Sequence, residues 1–194
     1  METISRFIID NKIDVRVVTL ILFLIPILGF SQSLVNQDSL LFHFTNIIND
    51  YRVKNGLKEL EVDPNMKVLT DYWSKRMGEM GKVGHGEGKE SFQSRISSEK
   101  SIPPSFIMLE NCTELMTPDK PIKTSVKTYP ELKPYIDGSY QGILNQYDYA
   151  VYGFLMWKNS PPHNKSMLDP DTKYFYLSSF RKNGRTYLCY ISRN

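Results

Sequence analysis

Asn183-Gly184 is the strongest local structural signal in the chain. It separates two runs, Lys173 to Phe180 and Thr186 to Ser192, that are rich in aromatic and β-branched residues. A two-residue type I′ turn needs positive φ at both central positions, which asparagine and glycine tolerate best, so the segment predicts a β-hairpin. An isolated hairpin is marginal in water. The rest of the chain must therefore supply a layer that covers its apolar face.

Helices upstream can do this. From Asp38 to Lys54, the residues Leu40, Leu41, Phe44, Ile47, Ile48 and Tyr51 recur at spacings of three and four, the stripe of an amphipathic helix. Asn55-Gly56 ends it. His43 falls inside that pattern and is given no function. Asp63-Pro64 supplies a cap and a first-turn proline for a second helix, whose face carries Met66, Leu69, Trp73, Met77 and Met80 and which ends near Gly81 or Gly84. Phe92 to Ser98 predicts a short helical turn, and Ser105 to Glu110 a buried strand. A third helix is expected from about Ser139 to Lys158, after which Ser160-Pro161-Pro162 breaks the chain. Thr113 to Asp137 carries Pro118, Pro121, Pro130 and Pro134, so a long irregular loop is expected there. The order of helix, helix, strand, helix, strand, strand predicts an α+β fold with a small sheet and helices packed on it.

Residues 1–31 stand apart. Val17 to Phe30 is an uncharged apolar run that contains Pro26, preceded by Lys12 and Arg16 and followed by Ser31-Gln32-Ser33. It falls short of the ~20 apolar residues that span a bilayer. It reads as the apolar core of a secretory signal, with Gly29 and Ser31 as the small residues before a cleavage point and Gln32 as the mature N-terminus. The expected organisation is a signal over 1–31 and a single domain over 32–194, exported to a secreted, periplasmic or extracellular location, with no stable membrane span after cleavage. An uncleaved anchor is the alternative, and either way the domain faces outward.

The composition narrows the function. Of 194 residues, 24 are Lys or Arg and 21 are Asp or Glu, a formal net charge of +3 with no basic block. Nucleic acid is therefore not an expected partner. Two cysteines, Cys112 and Cys189, cannot build a four-thiolate zinc site. In an oxidising compartment they allow one disulfide, and two buried free thiols are the alternative. Gly84-His85-Gly86-Glu87-Gly88 lacks the lysine of a phosphate loop and reads instead as a flexible seat for His85.

Groups capable of acid/base or ligand chemistry stand at three junctions: His85 after the second helix, Glu110 at the end of a strand, and His163 after the third helix. Two imidazoles and a carboxylate can bind a divalent metal with an open position, or serve as a general acid/base set.

The pattern Asn49-x-x-Arg52-x-x-x-Gly56-Leu57-x-x-Leu60, then Trp73-Ser74-x-x-Met77, His85, Arg95, Glu110-Asn111 and Trp157-x-x-Ser160-x-x-His163 with a closing strand resembles the CAP superfamily, also called SCP-like. That group contains cysteine-rich secretory, antigen 5 and pathogenesis-related proteins, and this chain is most similar to its small bacterial members. The resemblance spans about residues 40–192. It implies a three-layer α-β-α sandwich with a small, mainly antiparallel sheet, and a cleft lined by His85, Glu110, Asn111, Ser160 and His163. It also implies a divalent metal such as zinc held by His85 and His163. Glu87 and Glu90 near His85 read as solvated loop charges. With Cys112 two residues past Glu110 and Cys189 in the last strand, a bridge between them would clamp the cleft strand. The second acidic residue that many relatives carry after the tryptophan is absent from Trp157-Lys158-Asn159-Ser160, and the small glycines of the later strand are replaced by Phe175-Tyr176-Leu177-Ser178. The expected function is a non-catalytic binding module for a metal, a small molecule, a lipid or a cell-envelope fragment. The alternative is an extracellular metal-dependent or acid/base hydrolase using His85, Glu110 and His163, and a structural or adhesive surface domain is a third possibility.

Overall fold

A computed structural model describes residues 36–116 and 146–194, all within one unit, Val35–Asn194. Residues 1–35, which include the expected signal, and residues 117–145, which include most of the expected proline-rich loop, lie outside the described residues.

Helix α1, Gln37–Lys54, starts at Asn36, whose side chain accepts the Ser39 N–H. Its buried stripe is Leu40, Phe44 and Ile48, three of the residues picked out by periodicity. Strand β1, Glu61–Val62, is too short to leave a pattern in the sequence. Asp63 accepts the Asn65 N–H and opens a 3-10 turn over Pro64–Met66, which leads directly into α2, Lys67–Met80. Gly81, in the left-handed region at φ 65°, ends α2. The short helix α3, Phe92–Ser98, lies where expected.

Strand β2, Met108–Met116, departs from the sequence reading in both directions. It starts three residues later than the predicted strand and continues through Glu110-Asn111-Cys112-Thr113, so the irregular stretch cannot begin at Thr113. The prolines downstream put the start of the loop at Thr113. Glu110 to Thr113 pair with β4, as the strand does over its full length, and the helices on either side bury them. Helix α4 is Gln146–Lys158, with residues 139–145 of the predicted helix outside the described region. The two prolines that were expected to break the chain instead start a fifth helix, α5, Pro161–Met167. At the first turn of a helix a missing N–H costs nothing and the fixed φ of proline is already helical.

Strands β3, Tyr174–Lys182, and β4, Arg185–Arg193, form the predicted hairpin, and Asn183 and Gly184 turn it at φ 51° and 71°. The sheet order is β1-β3-β4-β2, antiparallel except for the β1–β3 pair. Side chains alternate across it. Phe175 and Leu177 of β3 with Leu188 and Tyr190 of β4 join α1 and α4 in one core, while Tyr176, Tyr187, Cys189 and Ile191 join Met66, Leu69, Trp73 and Met77 of the α2 layer in the other. The arrangement is an α+β three-layer sandwich, as expected.

Two buried arginines tie the layers together. Arg52 donates to the carbonyls of Lys58, Met167, Asp169 and Thr172, and so fastens the end of α1 to the loops around β1 and after α5. Arg193 pairs with Asp63 at 2.8 Å, locking the end of β4 to the start of α2. Burial pushes the Asp63 carboxyl up, but the bonds from Arg193 and Asn65 outweigh it and hold it below its ordinary value. Stability from a depressed carboxyl is complete above the unfolded value of about 3.9 and is lost as pH falls through the folded value. Asp63→Asn is expected to lower unfolding free energy by about 1–3 kcal/mol at neutral pH. In urea titrations at a series of pH values, the gap from the parent should hold down to about pH 5 and close below about pH 4.

Candidate functional site: two histidines at the edge of the sheet

Alternation along β2 decides which side chains can meet. Glu110 and Cys112 point to the α2 side, and Asn111 points to the α4 and α5 side. Because β2 is the outer strand of the sheet, groups from the two helical layers can reach one another past its free edge.

On the α2 side, His85 leaves the end of α2 on the glycine-rich loop, and that loop is pinned rather than flexible. Trp73 Nε1 donates to the Gly84 carbonyl at 2.8 Å, and the His85 carbonyl accepts from Phe92 N and from Arg95 Nη2. Gly86 sits at φ 73°, and a Cβ there would lie 2.1 Å from the Glu90 carbonyl oxygen. Only glycine fits that corner.

Glu110 is buried beneath His85. Its carboxylate takes both prongs of the Arg95 guanidinium, at 2.8 and 3.0 Å, and accepts His85 Nδ1–H at 2.9 Å. Arg95 is itself buried, stacks 3.9 Å over the Trp73 ring, and spends its Nε on the Glu90 carbonyl. With its donors shared among Glu110, His85 O and Glu90 O, Arg95 holds the acid and the loop of its partner together. The Nδ1 bond fixes the tautomer of a neutral His85 and puts the ring's lone pair on Nε2, the arrangement in which an acid orients a metal-binding imidazole.

On the opposite side, His163 projects from the first turns of α5, and Asn111 Nδ2 donates to its carbonyl at 3.1 Å. The two imidazole centroids lie 6.3 Å apart. The structure thus brings His85, Glu110, Asn111 and His163 together. Ser160 caps the start of α5 one turn before His163, without a side-chain bond to the helix end. Glu90 pairs with Arg76, at 2.7 Å, on the surface rather than with His85.

The cysteines correct the sequence reading. Cys112 and Cys189 stand directly opposite in the β2–β4 register, yet both are free thiols. Each sulfur is engaged in the polar cluster instead: Cys189 Sγ donates to Glu110 Oε2 at 3.7 Å, and Cys112 faces His85. The Cys112 sulfur first, and Glu110 second, stabilise the imidazolium and push the pKa of His85 up to about 10. Burial opposes ionisation of Cys112, but Cys189 and His85 outweigh it and bring its thiol below the ordinary value. Burial and the facing Cys112 push the Cys189 thiol up. Burial, and then the charge on His85, lower His163. A hollow of about 440 Å³ opens beside His85, between Trp73, Met80 and Glu87. A second, of about 480 Å³, opens beside Cys112, and Lys82 and Val83 border both.

A family model for the cysteine-rich secretory protein family, CAP, matches residues 45–190, and the chain belongs to that family. No curated protein matches it significantly. Among solved structures it is similar to an outer surface protein from Borrelia burgdorferi, at 14% identity and a TM-score of 0.52, over 77% of this chain and 88% of that one. It is also similar to an extracellular protein containing an SCP domain from Bacillus anthracis str. Ames, at 14% identity and a TM-score of 0.52, over 81% of this chain and 41% of that one. The chain thus spans about two fifths of the Bacillus protein. At these identities the likeness concerns the fold. Among the described residues, no helix is long and apolar enough to cross a membrane.

Two members of the cluster had no role in the sequence reading. Arg95 stood in the family pattern without a function, and Trp73 read as core. No spacing rule links an arginine on a short helix to an acid in a later strand. Arg95→Met should strand the Glu110 carboxylate in the interior and cost about 3–5 kcal/mol. Adding Glu110→Gln removes the stranded charge and should restore much of that loss, as read by urea unfolding of the single and double variants.

Proposed function

We propose that this protein is an extracellular binding module whose pocket between His85 and His163 takes a divalent metal, zinc in particular. One observation carries the reading: two imidazoles from different layers stand 6.3 Å apart, one of them oriented through Nδ1 by a buried carboxylate. The donor chemistry fits. Zinc takes imidazole nitrogen at about 2.0–2.1 Å once the ion has displaced the proton that the cluster favours on His85, and two rings on one tetrahedral ion have centroids roughly 5 Å apart, so about 1 Å of side-chain movement closes the pair. Glu110, already occupied by Arg95, acts as the orienting acid rather than as a primary ligand. With few protein ligands the ion keeps open positions. These and the hollow beside His85 would receive a small molecule, a lipid headgroup or a cell-envelope fragment bearing an oxygen donor.

A second reading has one observation in its favour. The surroundings push the two imidazoles in opposite directions, His85 up and His163 down, which is how an acid and a base are set apart in a hydrolase.

Zinc titration by calorimetry separates the two. The binding reading expects saturable zinc binding without turnover. His163→Ala should abolish it or weaken it severely, and Glu110→Gln should weaken it by about 10–100-fold. Absence of zinc binding in the parent protein overturns the metal reading, and zinc-dependent turnover lost in Glu110→Ala establishes the hydrolase.

A further inference from the structure

Glu110 and Cys112 also bring donor atoms close to His85. Ligand atoms of His85, Glu110 and Cys112 all lie within 4.8 Å of one another, the only such group of three among the described residues. Within this trio the carboxylate is the least available, because both its oxygens accept from Arg95. Of the two buried donors, the sulfur is the one not held by Arg95. Cys112 is two residues along β2 from Glu110, on the same face, is not in a disulfide, and borders the hollow beside Val83.

We propose that Cys112 is a thiolate ligand of the same ion as His85 and His163, which makes this a mixed sulfur and nitrogen site for soft or borderline metals. The inference rests on the proposed metal reading and adds a third ligand and a selectivity to it. A Cys-His-His set with one open position has the ligand count of catalytic and exchangeable zinc centres. It favours zinc, cobalt and cadmium over calcium and magnesium, which take oxygen ligands. On binding, the sulfur–metal bond replaces the sulfur–proton bond, and that proton passes to buffer.

Cys189 is the internal contrast. It lies across the ladder from Cys112, is fully buried, and directs its thiol to Glu110 Oε2, where it supports the acid and is not a ligand.

Cobalt provides the probe, because a cobalt–thiolate bond adds a sulfur-to-metal charge-transfer band in the near ultraviolet that imidazole and carboxylate ligands lack. The reduced parent protein is titrated with Co²⁺, following the visible ligand-field bands for binding and the charge-transfer band for sulfur. The expected result is that both appear together, that Cys189→Ser keeps both, and that Cys112→Ser loses the charge-transfer band and binds cobalt about 10-fold or more weakly. The chain has only two cysteines, so a band that survives in Cys189→Ser belongs to Cys112 even if Cys112→Ser does not fold. Ligand-field bands without charge transfer would overturn the thiolate inference and leave the histidine site standing. No cobalt bands of either kind would overturn both, and loss of the charge-transfer band in a folded Cys189→Ser would move the ligand to the wrong cysteine and sink the proposal.

Discussion

The buried pair between Arg95 and Glu110 is the interaction on which the rest of the site depends. A carboxylate deep in a protein is expensive unless its charge and lone pairs are matched, and a bidentate guanidinium matches them well. Arg95 is in turn held by the Trp73 ring and by backbone carbonyls of the very loop that carries His85. The acid, its counter-charge and the imidazole it orients are therefore positioned as one unit. Removing Arg95 or Glu110 leaves the other's charge in the interior without its partner.

That unit is possible because β2 runs along the outside of the sheet. Its alternation sends Glu110 and Cys112 toward one helical layer and Asn111 toward the other, where Asn111 holds the carbonyl of His163. Three neighbouring residues of one strand thus contact the two segments whose histidines, 78 positions apart in the chain, lie 6.3 Å apart between ring centroids. Membership of the CAP family accounts for the sandwich. The chemistry at the edge is that of this chain's own side chains, above all the thiol at position 112.

The elements legible in the sequence were those with strong local signals. Helix α1 has a clean three-and-four stripe, the hairpin has Asn183-Gly184, and α2 has Asp63-Pro64 ahead of its apolar face. Misread segments had local chemistry that tertiary packing overrode. The predicted strand stops at Glu110 and the prolines downstream put Thr113 in a loop, but Asn111, Cys112 and Thr113 pair with β4 and are buried by the helices on both sides. Pro161-Pro162 looks like a break and begins a helix. The site was legible only in part. Residue types and the family pattern pointed to His85, Glu110 and His163, but a bridge was expected of the cysteines. Their pairing across the ladder and the pull of His85 and Glu110 on the two sulfurs depend on three-dimensional contacts that no spacing reveals.

In the proposed metal site, two imidazoles from separate layers would share one ion at the edge of the sheet. Anomalous diffraction at the zinc absorption edge, from crystals grown with stoichiometric zinc, tests it most directly. The expected result is a single strong peak within about 2.0–2.1 Å of a nitrogen of His85 and of His163. A peak bound to only one of these rings, or a zinc site elsewhere on the protein with the two rings turned apart, would contradict it.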